Sequence, residues 1–243
     1  MPSDADESAS SDSFPAACWL DGVPGRVPVG VIVGMESEAA LLPPGTRFGI
    51  AGADSARAAA EARRLLDEGA EALLSLGIGG GLDPALAPGE IVVGTAVQDG
   101  DETFAVNQVW MCRLLNAIPH SRSGVIHASA GPVVGRGAKQ ALFAASGARV
   151  VDMESGGVAR VAAQAGRPFA VIRAVADSAD LTLPSSALVG IGPDGKARPL
   201  AVLGRLALKP WELPDLIRVG IDSHAAHSSL RAALAGLGTA FGL

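Results

Sequence analysis

Nowhere in these 243 residues do apolar side chains run uncharged for the about 18 positions that a bilayer-spanning helix needs. Met1–Ala17 is acidic and serine-rich rather than basic with an apolar centre, so it does not read as a secretory leader. Residues 1–26 are expected to form a disordered tail, and a cytoplasmic location is expected for the chain. Cysteine is scarce: Cys18 and Cys112 share no metal-ligand or framework spacing, and reduced thiols fit that pattern. Lys and Arg total 19 against 25 Asp and Glu, a net charge of -6 with no basic stripe, so nucleic acid is not an expected partner. The charge by itself means solubility. Only four histidines occur, His120, His127, His224 and His227, and they form no convergent set. His224 and His227 read as a solvent-facing pair on a terminal helix, and no metal is expected. The nucleophile elbow Gly-x-Ser-x-Gly, the P-loop Lys-Ser/Thr pair and the spaced glycines of a dinucleotide fold are all missing.

What is present is a chain 49% hydrophobic and 18% charged, enough apolar material for one large core. Val27–Val33 reads as a first buried strand ending at Gly34. Glu36–Leu42 is expected to open a helix, and Arg47–Ala51 reads as a strand. The alanine-rich Ser55–Glu68 reads as a helix capped by Ser55. Further strands are expected at Ala72–Leu76, Ile91–Val93, Val125-Ile126, Val133-Val134, Arg149–Val151 and Phe169–Ala174. Further helices are expected at Gln108–Ala117, Ala138–Ala145, Gly156–Ala165 and Leu216–Leu234. Strands alternating with helices predict one α/β domain over 27–243, a central mixed β-sheet flanked by helices. Within it, 183–214 is a proline-rich apolar extension with a Pro193-Asp194-Gly195 turn.

Four segments place glycine or carboxylate directly after an apolar run, where an open α/β sheet presents its ligand groups. The first is Gly34-Met35-Glu36-Ser37-Glu38. At a helical first turn Glu36 and Glu38 point in different directions, so one at most faces a site; the competing reading is an acidic helix start. The second, Gly77-Ile78-Gly79-Gly80-Gly81-Leu82, lets backbone approach a ligand and offers N–H groups to an anion, or else is a tight packing turn. The third, Val151-Asp152-Met153-Glu154, brackets a methionine with carboxylates. A carboxylate there can accept both hydroxyls of a ribose diol while Met153 packs on the sugar or base; the alternative is a helix cap. The fourth ends Phe169–Val175 with Ala176 and Asp177. A partly desolvated Asp177 has a raised pKa and suits proton donation to a leaving base; Asp180 reads as a cap.

Together these segments, from Val27 to Asp180, resemble the purine and uridine phosphorylase superfamily. The spacing is nearest the branch of 5′-methylthioadenosine/S-adenosylhomocysteine nucleosidases. The resemblance implies a nucleoside phosphorylase-like fold and cleavage of an N-glycosidic bond. It implies Glu38 beside the nucleophile, Met153 and Glu154 gripping ribose, and Asp177 protonating the base. It also implies that Pro132-Val133-Val134 frames the base and that Gly79 and Gly80 contact substrate. Three positions depart from the pattern: Ile78 stands for Ser or Thr, Ala176 for Ser, and Val133 for an aromatic residue that stacks on adenine.

The extension, with Ser186–Gly190 and Pro199–Leu203 onward to Pro210, resembles the hopanoid-biosynthesis-associated phosphorylases. That implies removal of adenine from adenosylhopane, a nucleoside with a large apolar 5′ group. Leu203, Leu206, Leu208 and Trp211 would line an apolar exit for it, or complete a core or oligomer interface, and would suit transient membrane contact. Inorganic phosphate is then the co-substrate, with Ser55 and Arg57 as candidate contacts beside Gly79 and Gly80; no organic cofactor is implied. Glu38 suits water instead, and the balance is set slightly toward phosphorolysis. The superfamily implies a homo-oligomer. A hydrolytic nucleosidase is the alternative enzyme, and a non-catalytic nucleoside- or lipid-binding module the alternative class.

Overall fold

The computed structural model describes residues 27–190, 192 and 195–243, so the expected tail, Cys18 and the Pro193-Asp194 turn lie outside the described residues. Its sheet has eight strands in the path β2-β1-β3-β7-β6-β4-β5, with β8 joining β3 to β4. Strand β1 (Val29–Val33) runs parallel to β2 (Arg47–Ile50) and to β3 (Ala72–Gly81). Strand β8 (Phe169–Asp177) lies parallel to β3 and antiparallel to β4 (Ile91–Asp99). Strands β6 (Arg122–Ala128) and β7 (Val150–Asp152) complete the path back to β3. The pairing β3-β8-β4-β6-β7-β3 therefore closes on itself, which corrects the expectation of an open sheet; the mixed character is as expected.

Both β1 and β8 are buried along their whole length. That burial explains their continuous runs of valine, isoleucine and alanine, since strands covered on both faces lose the apolar-polar alternation. Helices α2 (Ser55–Asp67) and α5 (Ser155–Ala165) pack on one another, while α3 (Gln108–Ala117) packs with α7 (Leu213–Leu237). The first pair meets closely because α5 opens on glycine: a Cβ at Gly157 would stand 2.1 Å from the carbonyl oxygen of Ser55. On α3, fully buried Trp110 donates its Nε1 to Phe241 O at 2.7 Å and ties the end of the chain to the core.

Several boundaries differ from the sequence reading. Strand β3 continues through the glycine run, because β7 and β8 both supply ladder partners there. Strand β4 is longer than expected, and a turn at Gly100 folds it into a hairpin with β5 (Glu102–Ala105), which the sequence reading omits. Val133-Val134 is loop, not strand. Helix α1 (Glu36–Ala39) is a single turn. Asp54, not Ser55, caps α2, its side chain accepting the Arg57 N–H at 2.8 Å. Helix α4 (Arg136–Ser146) begins earlier than expected, and the proline-rich extension contains a helix, α6 (Pro199–Leu208), with Pro199 in the first-turn position that tolerates it. Cys112 is buried on α3, and the reduced-thiol reading also concerns Cys18, which lies outside the described residues.

Candidate active site

A cavity of about 220 Å3 opens at the carboxyl ends of β1, β3 and β8 and is lined by Glu38, Asp152, Glu154 and Asp177 among apolar residues and glycines. Among the described residues its wall includes no lysine, arginine or histidine side chain. Four carboxylates in a small, mostly apolar space must be satisfied from within the protein. Three are, each in a different way, and Glu154 is left short.

Glu38 is 2% exposed at the one-turn helix after β1. Its Oε2 accepts the N–H groups of Gly34 at 2.8 Å and Met35 at 2.9 Å, and its Oε1 accepts that of Ile78 at 2.8 Å. Burial pushes the carboxyl up from its ordinary value, while these three donors and the Arg173 charge hold it back. The backbone N–H in the glycine run that was expected to meet an external anion thus meets Glu38. The run is glycine here partly for room: a Cβ on Gly77 would stand 2.7 Å from Glu38 Oε1, and one on Gly34 2.7 Å from Glu154 Oε1. Glu36, by contrast, points outward and pairs with Lys196 at 3.6 Å.

Behind Glu38 lies Arg173, 1% exposed in the middle of β8. Its Nη1 donates to Ile172 O at 2.9 Å and its Nη2 to Ser75 Oγ at 2.7 Å. The same Nη2 stands 2.5 Å from Asp152 Oδ2 and 3.8 Å from Glu154 Oε2. Asp152 is held from its other side, its Oδ1 accepting Ser155 Oγ at 2.7 Å and Ser155 N at 3.1 Å. Three carboxylates, those of Glu38, Asp152 and Glu154, thus face one guanidinium. The shortfall falls on Glu154, which burial and the neighbouring Asp152 push up to about 8 against the pull of Arg173.

Asp177 ends β8 and is answered by Lys139 of α4, a lysine with no exposed surface. Lys139 Nζ donates to Asp177 Oδ2, to Ser178 O at 2.8 Å and to Leu181 O at 3.1 Å. Burial raises the Asp177 carboxyl, Lys139 opposes that rise, and Asp222 of α7 adds to it. Asp180, read as a cap, starts no helix and pairs with Arg136 at 3.2 Å on the surface.

Of the residues singled out from sequence, Glu38, Gly79, Gly80, Val133, Met153, Glu154 and Asp177 all border this cavity, as do Pro132 and Ile78. Val134 stands just behind, its carbonyl accepting the Leu183 N–H at 3.0 Å, and Leu183 is in the wall. Ser55 and Arg57 are not among the lining residues, so the structure does not bring them to the site. Arg173 and Lys139 are the residues that sequence reasoning passed over. Arg173 had a signal, a lone charge inside an otherwise apolar strand; Lys139 on an alanine-rich helix had none. Among the described residues no cluster of three or more His, Cys, Asp or Glu side chains could hold a metal ion.

Residues 45–190, more than half of the chain, match the model of a family described as the phosphorylase superfamily. The chain belongs to the phosphorylase superfamily. No curated protein matches this superfamily member in sequence. Its fold is similar to that of a 5′-methylthioadenosine/S-adenosylhomocysteine nucleosidase from Colwellia psychrerythraea solved with adenine. The TM-score is 0.61 at 21% identity, covering 75% of this chain and 96% of the other. It is similar to an S-adenosylhomocysteine nucleosidase from Streptococcus pyogenes solved with 5-methylthiotubericidin, with TM-score 0.61, 18% identity and coverage of 89% and 100%. A futalosine hydrolase of Helicobacter pylori aligns with TM-score 0.55 at 16% identity, over 60% of this chain and 88% of that one.

Proposed function

We propose that this protein cleaves the C1′–N9 bond of a 5′-substituted adenosine and releases adenine. The observation that carries the reading is the placement of Asp177 and the Glu38–Glu154 pair at two ends of one cavity. Their contacts on β3, Gly80 and Gly77, are three residues apart, roughly 10 Å along a strand. A ribose between these poles would put its diol at Glu154 and Met153 and its base at Asp177, under Pro132 and Val133. As the glycosidic bond breaks, the base gathers negative charge and the sugar positive charge. Asp177, held above its ordinary pKa by burial, gives its proton to N7 of the base, and Lys139 stabilises the carboxylate left behind. Glu38 and Asp152 present negative charge to the oxocarbenium-like sugar.

The attacking group on this reading is water. Among the described residues the lining holds four acidic side chains and no cationic one, so little there would offset the charge of a phosphate dianion, whereas water needs no such partner. That weighs against the phosphorolysis favoured from the sequence. A second reading keeps adenosylhopane and phosphate, because the apolar extension begins at the cavity wall itself, with Leu183.

The test is adenine release from 5′-methylthioadenosine, S-adenosylhomocysteine, adenosine and adenosylhopane, each with and without inorganic phosphate. Phosphate-independent release from the thioethers supports the hydrolytic reading. Phosphate-dependent release preferring adenosylhopane supports the second. Asp177→Asn should lose at least about 100-fold in kcat while still binding substrate; near-wild-type turnover would remove Asp177 from its role. Binding without release from any of the four would make the protein a nucleoside-binding module.

A further inference from the structure

The single helical turn α1 carries Glu38, yet it is too short to hold itself in place, since helices of under about 12 residues are marginal on their own. Of its four residues only Glu38 is buried. The contacts that fix its outer side are polar and come from the C-terminal part of the chain. Glu36 N donates to Gly195 O at 3.2 Å, and the exposed Glu36–Lys196 pair at 3.6 Å adds little. The third contact comes from α7, where His227 Nε2 stands 3.1 Å from Ser37 Oγ. Ser37 is the residue directly before Glu38. The sequence reading paired His227 with His224 as solvent-facing side chains; His224 is exposed as expected, but His227 is half-buried and turned toward α1.

The His227 ring is itself oriented. Its Nδ1 stands 2.8 Å from the carbonyl oxygen of Ser223, one turn earlier on the same helix, and a carbonyl only accepts, so Nδ1 carries a proton. Nε2 of the neutral ring then accepts the Ser37 hydroxyl, and in the charged ring it donates to the same oxygen, so the contact survives in either state. The base of the contact is firm, because Ala226 and Leu230, on either side of His227 along α7, are buried in the core. Its other end is sensitive. One of the three N–H groups that Glu38 accepts, that of Ile78, belongs to β3, so a shift of the turn against β3 breaks that bond and swings the carboxyl group. We propose that His227 is a positioning residue of the active site: through Ser37 it locks the turn that carries Glu38, and with it the carboxyl group set beside the sugar and the attacking water. The role rests on the hydrolytic reading above. His227 does not line the cavity, so it acts through Glu38 and not on substrate.

Backbone amide exchange and turnover are compared in wild type, His227→Ala, His227→Gln, Ser37→Ala and the double variant His227→Ala/Ser37→Ala. The substrate is 5′-methylthioadenosine, or another of the four nucleosides if wild type prefers it. In His227→Ala the Ile78 amide should exchange about tenfold faster, and kcat for adenine release should fall about tenfold with KM within about twofold of wild type. His227→Gln still presents a donor and an acceptor toward Ser37 and should recover most of both losses. The double variant should be no worse than the worse single one, since both changes remove the same contact. Melting curves close to that of wild type certify the fold of the variants. Faster exchange along α7 with the Ile78 amide unchanged, equal losses in His227→Ala and His227→Gln, or additive losses in the double variant would make His227 a plain fold contact and overturn the inference. So would a rise in KM at constant kcat. A wild-type protein that releases no adenine removes the reaction and this role with it, whereas the Ile78 amide reports the contact in either case, so the two failures are told apart.

Discussion

Glu154 carries a pKa near 8 where an unperturbed glutamate has 4.5, and the gap is a statement about stability. The cause is burial first and the Asp152 charge second. Because the folded-state value is raised, the folded protein holds a proton on Glu154 that the unfolded chain releases. Its contribution is fully present below about pH 4.5 and is lost as pH rises through about 8. At about 1.36 kcal/mol per unit, a rise of roughly 3.5 units bounds the loss at about 5 kcal/mol. Part of that rise is repulsion that Asp152 and Glu38 share, so about 2–3 kcal/mol is expected for Glu154 alone. Glu154→Gln keeps the shape and cannot ionise. Urea unfolding at about pH 5 and about pH 8.5 should show wild type losing about 2–3 kcal/mol more than the variant over that interval. Glu38 and Asp177, also raised, contribute a similar slope to both proteins and largely cancel in the difference. Parallel losses in the two proteins would refute the assignment of the unmatched charge to Glu154.

Lys139→Met strands a buried Asp177 carboxylate and should cost about 3–5 kcal/mol at pH 8; the penalty should shrink at acid pH as Asp177 takes up a proton, read by unfolding at both pH values. Gly77→Ala puts a Cβ 2.7 Å from Glu38 Oε1, so it should displace that carboxylate, lose about 1–3 kcal/mol on melting and abolish adenine release. Trp110→Phe deletes the bond to Phe241 O and leaves a buried carbonyl unpaired, which should cost about 1–3 kcal/mol and speed hydrogen exchange over the last turn, Gly238–Ala240.

The elements legible in the sequence are those whose neighbours write their pattern locally. Helix α3 falls on its expected limits because Asn107 caps it and its apolar spacing is helical throughout. Strand β1 is legible because burial on both faces makes it a pure apolar run. The far half of β3 was not legible: Gly77 to Gly81 have no strand propensity of their own, and only the crossing of β7 and β8 holds them extended. Helix α6 was obscured by Pro199 and Pro210, which bound it rather than break it. The cavity's carboxylates were all visible as charges after apolar runs. What decides their chemistry, the guanidinium of Arg173 and the ammonium of Lys139, comes from a strand interior and a distant helix, and those pairings exist only in three dimensions.

Those two cations also explain why the two ends of the cavity can behave differently. Lys139 meets one carboxyl group, Asp177, and its remaining donors are used by the carbonyls of Ser178 and Leu181, so at that end one cation faces one acid. Arg173 meets Asp152 and Glu154 directly and Glu38 through its field, so at the other end three carboxyl groups share one guanidinium and the proton kept on Glu154 relieves the excess. A neutral nucleoside brings no charge to either end until its glycosidic bond stretches. On the proposed reaction, the base then needs a proton beside Asp177 and the sugar an anion beside Glu38 and Asp152. Groups that answer charge appearing only as that bond stretches would favour the separated state more than the bound one, the condition under which binding groups accelerate a reaction.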